Sequence, residues 1–186
     1  MSTRIPGLVA LLALALLALA SQSFAAQPLF DGVQPTSIKG VEVGKVAGTV
    51  ALESALGLQF NPRATLDPCK PTPGTAYTCR GSTTLAGASV QSLVTIGADG
   101  TVQMVSLTFQ SANFEQIETA AIAKWGTPTS TGHQAMQNAF GAQVTATEHQ
   151  WHATNGAHAF LLSHQDLQHG MLELETAEHI AAVKKP

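Results

Sequence analysis

The first 25 residues constrain the fold more than any other part of the sequence, because they are typical of a segment that is removed before the chain folds. Residues 1–4 carry a positive charge, and Leu8 to Ala20 is an unbroken apolar run. Ser23-Phe24-Ala25 then places small residues where a signal peptidase cuts. We therefore predict a cleavable secretory signal peptide over residues 1–25, with cleavage after Ala25.

A permanent amino-terminal anchor is the alternative interpretation of this segment. The apolar run is shorter than the roughly 20 residues that a transmembrane helix needs, so it fits an anchor less well. No cysteine stands at the cleavage site, so a lipid anchor is not indicated. After cleavage we expect a periplasmic protein with no stable membrane anchor and roughly 160 residues, the size of one ordinary domain.

The only two cysteines, Cys69 and Cys79, lie close together in the sequence. In an oxidising compartment such a pair is expected to form a disulfide. A redox pair and half of a metal site are the alternatives, but the spacing matches neither the Cys-x-x-Cys redox motif nor a zinc knuckle. We predict a structural disulfide that stabilises the fold by roughly 2–3 kcal/mol on the chain-entropy estimate.

Two segments have the pattern of amphipathic helices. An apolar stripe at three- and four-residue spacing predicts a helix that begins after Asn113 and ends at Gly126. The residues of the stripe are Phe114, Ile117, Ala121 and Trp125. A weaker helical pattern covers Val46 to Leu56, and Gly57 ends it.

Three strand patterns follow each helix. They cover about residues 76–85, 90–96, 105–109, 144–154, 157–164 and 170–176. In the last of these, Leu172 and Leu174 are expected to face inward, and Glu173 and Glu175 outward. We therefore predict an α+β fold in which two helix–three-strand repeats form one antiparallel sheet with the helices packed on one face. The first unit would span residues 26–110 with the disulfide loop, the second would span residues 111–186, and the two would form one compact domain.

A Trp-Gly-x-Pro motif closes the second helix, and a second tryptophan, Trp151, lies on the strand that follows. With these features and the repeated units, residues 40–176 resemble the β-lactamase-inhibitor-protein fold. They are also similar to the small outer-membrane assembly lipoproteins of the SmpA/OmlA type. Those lipoproteins carry a lipidated cysteine and consist of a single unit, and this chain differs in both respects. The resemblance implies a protein-binding scaffold of the bacterial envelope.

All seven histidines fall in the last third of the chain. Asn155-Gly156 predicts a tight two-residue hairpin turn, since both residues of such a turn need positive φ. This turn would pair Trp151 with Phe160 and would place alternate residues of the two strands on one shared face. The residues expected on that face are His149, Trp151, His158, Phe160, Leu162 and His164.

On this register His149 and His164 would be neighbours, and they could share a metal ion with His133 as a third ligand. The chain has no His-Glu-x-x-His motif and no His-x-x-x-His pair. An alternative interpretation is that these histidines border the core, and another is that they form a pH-sensitive surface.

Catalysis and cofactor binding are not indicated by any motif. The chain lacks a Gly-x-Ser-x-Gly elbow, a phosphate loop and a dinucleotide fingerprint, although catalytic groups that converge from distant positions stay an open alternative. The formal net charge of −3 does not favour nucleic acid as a partner, since its binding is dominated by clustered Lys and Arg. We predict that the protein is not an enzyme, has no catalytic residues and binds no cofactor.

The leading hypothesis is a non-enzymatic, soluble periplasmic module that binds another envelope protein through its sheet face and loops. An inhibitor, an immunity protein and an envelope accessory protein are versions of this function. The candidate contact residues are Tyr77 at the end of the disulfide loop, Trp151 and His158. For Tyr77 the alternative is packing against the sheet. A histidine-based metal-binding protein of the periplasm is the alternative function.

Overall fold

The computed structural model describes residues 34–58, 69, 74–137 and 141–184. The predicted signal peptide and its cleavage site lie outside these residues. The helices are α1 (Thr49–Leu56), α2 (Phe114–Trp125) and α3 (Ala177–Val183). The strands are β1 (Ser37–Ile38), β2 (Val41–Glu42), β3 (Tyr77–Leu85), β4 (Ala88–Ile96), β5 (Val102–Gln110), β6 (Ser130–Gln137), β7 (Gln143–His152), β8 (His158–Leu162) and β9 (His169–Glu175). Within the described ranges, no helix is long and apolar enough to cross a membrane.

Seven of the strands form one antiparallel sheet in the order β3-β4-β5-β9-β8-β7-β6, and β1 pairs with β2 in a separate hairpin. The last strand, β9, returns to the middle of the sheet and pairs with β5. The described residues belong to one compact unit. In the described sheet, β3 and β6 are therefore the two edges.

The core lies between α1, α2 and one face of this sheet, which we call the helix face. Leu52 and Leu56 are the buried residues of α1, and the Ser92 hydroxyl on β4 donates to the Leu56 carbonyl at 2.6 Å. The buried residues of α2 are those of the apolar stripe, Ile117, Ala121 and Trp125. The opposite face, which α1 and α2 do not cover, is called the open face.

The predicted α+β fold with two equivalent helix–three-strand repeats is wrong. Among the described residues, 48% lie in strands and 22% in helices, and this part of the chain is a mostly β structure on one seven-stranded sheet with three short helices. The halves differ because the second contributes four strands to the sheet. The additional strand, β6, has no alternating apolar pattern, and its place in the sheet comes from backbone pairing with β7.

Several local predictions are confirmed. Helix α2 begins at Phe114 and ends at Trp125, and the following Gly126 has a positive φ of 77°. Helix α1 is shorter than predicted and ends at Leu56. The sulfur atoms of Cys69 and Cys79 lie at disulfide distance, and both side chains are buried.

The turn between β7 and β8 differs from the predicted one. The Gly156 N–H donates to the Ala153 carbonyl at 3.0 Å, and the Ala153 N–H donates to the Ala157 carbonyl at 2.8 Å. Of the residues in this turn, Gly156 alone has a positive φ, at 82°. This geometry is a type I turn followed by a glycine bulge, whereas a two-residue turn would also need a positive φ at Asn155.

The bulge shifts the register of the hairpin by one residue, so each residue of β8 faces the opposite side from the predicted one. Trp151 pairs with Ala159, and the predicted pairing with Phe160 is wrong. His149 and Trp151 lie on the helix face, while His158 and Phe160 lie on the open face. The predicted shared face of these residues does not exist.

Candidate functional site

Cross-strand pairing arranges the side chains of the open face in rows across the sheet. One row contains Arg80, Leu93, Ser106, Glu173, Phe160 and Gln150. The next row contains Ser82, Gln91, Thr108, Met171, Leu162 and Glu148. Both rows mix polar and apolar residues, unlike the largely apolar helix face.

A groove runs along β4 and β5 on the open face, beside the loop that joins β8 to β9. Its two adjoining parts have volumes of about 390 and 470 Å³, and Gln91, Thr108 and Gln165 line both of them. Strands β4 and β5 form the floor, and Gln165 reaches the groove from the loop. Each part has the size of an ordinary ligand pocket, between roughly 300 and 1,000 Å³.

Side-chain amides and hydroxyls line this groove together with apolar surface. Gln91, Gln165, Ser106 and Thr108 can each donate and accept hydrogen bonds. Leu93 and Met171 supply apolar surface. The lining is therefore suited to a ligand that presents both hydrogen-bonding groups and small apolar groups.

Glu173 lies at the edge of the groove on β9. Burial raises the pKa of its carboxyl group, and the charge of the neighbouring Glu175 raises it further. A hydrogen bond with Ser106 and the nearby His179 act in the opposite direction. A carboxylate in this setting is favoured by a cation or a hydrogen-bond donor that comes close to it.

Hydrogen bonds hold the loop that carries Gln165 in place. The Asp166 carboxylate accepts from the backbone N–H groups of Gln168 and His169 at 2.7 and 2.8 Å. These bonds help to lower the pKa of Asp166. The backbone N–H of Gln165 also donates to the His169 carbonyl at 2.7 Å. The wall of the groove is thus tied to the start of β9.

His149 lies on the helix face, where it links three elements. One ring nitrogen, Nε2, lies 2.6 Å from Glu118 Oε1 on α2, and the other, Nδ1, lies 2.8 Å from Thr131 Oγ1 on β6. The ring stacks on Phe114 and contacts the edge of Trp151. Because both ring nitrogens are engaged, this buried histidine joins α2, β6 and β7.

Trp151, a predicted contact residue, is only 2% exposed. Its indole N–H donates to the Gly126 carbonyl at 2.9 Å, and its ring meets Trp125 edge to face at a centroid distance of 5.5 Å. Trp151 therefore connects β7 to the end of α2 inside the core, and it does not contribute to a surface.

The other two predicted contact residues lie nearer to solvent. Tyr77 begins β3, opposite Ile96, and packs against the core, where burial raises the pKa of its phenol. This is the alternative that the sequence left open. His158 is half-buried on the open face, stacked on His152 and 3.6 Å from Glu175 Oε1.

The three predicted metal ligands do not point to a shared ion. His133 is exposed on β6, and its Nδ1 lies 3.3 Å from Thr147 Oγ1, whereas His164 Nδ1 lies 3.0 Å from Ser163 Oγ. His149 is engaged by its neighbours in the core. Among the residues that the structure describes, no group of three or more His, Cys, Asp or Glu is placed to hold a metal. The metal-binding hypothesis stays a prediction without support from this arrangement.

The groove residues Gln91, Thr108 and Gln165 are absent from the sequence predictions. The alternation of β9 did predict that Glu173 faces outward, and the same alternation in β4 and β5 would have placed Gln91 and Thr108 on that side. The sequence carries no signal that β9 and its loop lie beside β5.

Comparison with known proteins gives no relative from which a function could be transferred. No protein-family model, no curated protein and no solved structure matches this chain. The resemblance to the β-lactamase-inhibitor-protein fold and to the assembly lipoproteins therefore stays a prediction. The function has to be inferred from the groove and from the sequence.

Proposed function

We propose that the chain is a non-enzymatic protein-binding module of the bacterial envelope, in which the groove on the open face holds an extended segment of a partner protein. The groove is the observation that carries this proposal. It follows the direction of β4 and β5 and joins two parts of about 390 and 470 Å³. An elongated shape of this size suits an extended peptide better than a compact small molecule.

The lining supports a peptide as the occupant. An extended peptide presents N–H and C=O groups along its length, and these need hydrogen-bond partners when water is displaced. Gln91, Gln165 and Thr108 offer such partners along the groove. Leu93 and Met171 can receive an apolar side chain of the peptide between them.

Charge indicates which peptide fits best. Glu173 and Glu175 are neighbours on the open face of β9, and the Glu173 carboxylate is only partly compensated by Ser106 and His179. A lysine or arginine of the partner segment would stabilise the charged form of the Glu173 carboxyl, which burial and Glu175 disfavour. We therefore expect a partner segment with a basic residue beside small polar and apolar residues.

The predicted signal peptide and the Cys69–Cys79 pair support an extracytoplasmic location. Inhibition of an envelope enzyme, immunity and envelope assembly are compatible versions of the function. Expression of the full chain in a bacterium, followed by amino-terminal sequencing of the periplasmic fraction, tests the location. We expect the exported protein to begin at Ala26. Uncleaved protein that stays in the cytoplasm would contradict the periplasmic proposal.

Photo-crosslinking in the native host tests the binding proposal. A photoreactive amino acid at Gln91, which is exposed in the groove, should give one discrete crosslinked product with a partner protein. The matched control is the same amino acid at Gln116, which is exposed on α2. We expect no product of that mass from the control.

A groove-filling substitution makes the result specific. Thr108→Trp should abolish the product from position 91, because the indole would occupy the floor of the groove. The folded state of this variant is checked by circular dichroism. Equal products from positions 91 and 116, or a product that Thr108→Trp does not change, would refute the groove as the binding site.

A further inference from the structure

The two edge strands of the seven-stranded sheet, β3 and β6, differ in how far other parts of the chain cover them. At the β3 edge, Leu58 forms an antiparallel bridge with Gly81. The backbones of Gly57 and Gly81 approach so closely there that neither residue has room for a Cβ atom. Lys39 Nζ also donates to the backbone carbonyl of Thr84 at 3.0 Å. Groups of the same chain therefore occupy the middle and the end of this edge and hinder pairing with another chain.

Among the residues that the structure describes, none covers the β6 edge in this way. Of the eight residues in Ser130–Gln137, seven are exposed and one is half-buried. The strand contains no proline, lysine, arginine, aspartate or glutamate, and it pairs with β7 in continuous register without a bulge. Natural sheets usually protect a free edge with such residues or with a bulge, because its unpaired backbone groups can pair with another strand.

The register shows which backbone groups of β6 face outward. The Ser163 N–H donates to the Thr147 carbonyl on the β8 side, whereas the Thr129 N–H donates to the Gln150 carbonyl on the β6 side. The backbone N–H and C=O groups of the even-numbered residues of β7 therefore point toward β6. They bond to the backbone groups of the even-numbered residues opposite them. The residues of β6 whose N–H and C=O groups point to the free edge are Thr131, His133, Ala135 and Gln137.

We propose that β6 is the interface of a homodimer, in which the β6 strands of two copies pair antiparallel about a two-fold axis and join their sheets into one. A second copy fits because an antiparallel pair of identical strands offers complementary rows of donors and acceptors. No Lys, Arg, Asp or Glu lies on β6 to repel its counterpart. The two-fold pairing uses the β6 edge of both copies, and the β3 edge is partly covered, so the assembly closes at two chains.

The pairing has a defined register. The edge-directed N–H and C=O groups of all four of these β6 residues form hydrogen bonds when the two-fold axis passes through Gln134. Thr131 then pairs with Gln137 of the second copy, and His133 pairs with Ala135. The two Gln134 residues face each other in a non-hydrogen-bonded pair, with Cα atoms about 4.5 Å apart.

Sedimentation velocity of the purified, disulfide-intact protein across a dilution series tests the proposal. We expect a species with twice the mass of one chain. Ala135→Lys should convert it to the monomer, because it places two ammonium groups close to the axis. The matched control Ala123→Lys adds the same charge on the exposed side of α2 and should stay dimeric. A wild-type protein that is monomeric throughout, or a dimer that Ala135→Lys leaves intact, would overturn the proposal.

Cysteine crosslinking tests the register independently. Gln134→Cys should form a disulfide-linked dimer on mild oxidation, since a non-hydrogen-bonded pair brings Cα atoms within the range of a disulfide. Thr131→Cys should not, because it faces position 137 of the second copy. Circular dichroism checks that both variants keep the wild-type fold. Crosslinking at position 131 and none at position 134 would refute the proposed pairing.

Discussion

The side chains of His149 and Trp151 hold α2 against β7. Trp151 hydrogen-bonds to the Gly126 carbonyl at the end of α2, and His149 bonds to Glu118 on the same helix. Both residues are less than a tenth exposed. Substitution of either residue is therefore expected to change stability before it changes binding.

Trp151→Ala should lower the free energy of unfolding by about 3–5 kcal/mol, the usual cost of removing a buried aromatic ring. Trp151→Phe should cost about 1–3 kcal/mol, because it keeps most of the ring but leaves the half-buried Gly126 carbonyl without its donor. Urea unfolding followed by circular dichroism measures both values. Equal losses in the two variants would show that ring packing contributes little.

The stability contribution of Glu173 should depend on pH. Its carboxyl has a raised pKa in the folded protein because of burial and of Glu175, so the folded state binds this proton more tightly than the unfolded state does. This contribution to the free energy of unfolding is fully present below pH 4.5, the ordinary pKa of a glutamate. It is lost as the pH rises through the raised pKa of the folded protein. Glu173→Gln should therefore be more stable than the wild type at neutral pH.

Urea unfolding at several pH values measures this difference. The advantage of Glu173→Gln should disappear in acid, where the wild-type carboxyl is also neutral. Glu53→Gln is the control, since it makes the same substitution at an exposed position on α1. An advantage of Glu173→Gln that persists unchanged in acid would contradict the titration of Glu173 as its cause.

Helix α2 was predicted correctly because its stripe of Phe114, Ile117, Ala121 and Trp125 is long and regular. Strand β6 was missed because nearly all of its residues are exposed, so no apolar residue marks one of its faces. An edge strand of this kind is held by backbone hydrogen bonds to β7, and side-chain patterns do not report such bonds.

The β7–β8 turn gives a test at the level of a single element. Gly156→Ala should destabilise the protein by about 1–3 kcal/mol, the range for a residue forced into a left-handed conformation. The added Cβ would also lie 3.0 Å from the Cβ of Ala177. Asn155→Ala should cost less, because it removes one hydrogen bond to the Ala157 N–H and introduces no strained φ. A larger loss from Asn155→Ala, measured by thermal unfolding, would favour the two-residue turn.

On the scale of the whole molecule, the sheet order decides where the groove lies. Strand β9 returns to pair with β5, and this brings the loop with Gln165 beside Gln91 and Thr108. These residues come from distant parts of the chain. The same order leaves β3 and β6 as the two edges of the described sheet, one covered and one free.

The disulfide should contribute to the stability of the entire fold. A Cys69→Ser/Cys79→Ser variant should lose about 2–3 kcal/mol in urea unfolding, because the unfolded chain is no longer constrained by the short loop. Reduction of the wild type should lower its stability by a similar amount. A variant as stable as the wild type would show that the disulfide does not stabilise the fold.

The sequence by itself determined the elements whose side chains have a clear period or spacing: α2, most strands of the sheet, the outward position of Glu173 and the cysteine pair. These follow from local geometry, since residues of one helix stripe or one strand face must be apolar to be buried. The tertiary structure decided the register of β8, the edge position of β6 and the groove. Each of these depends on backbone conformation or on which distant strands become neighbours, and a linear pattern of residue types does not encode that choice.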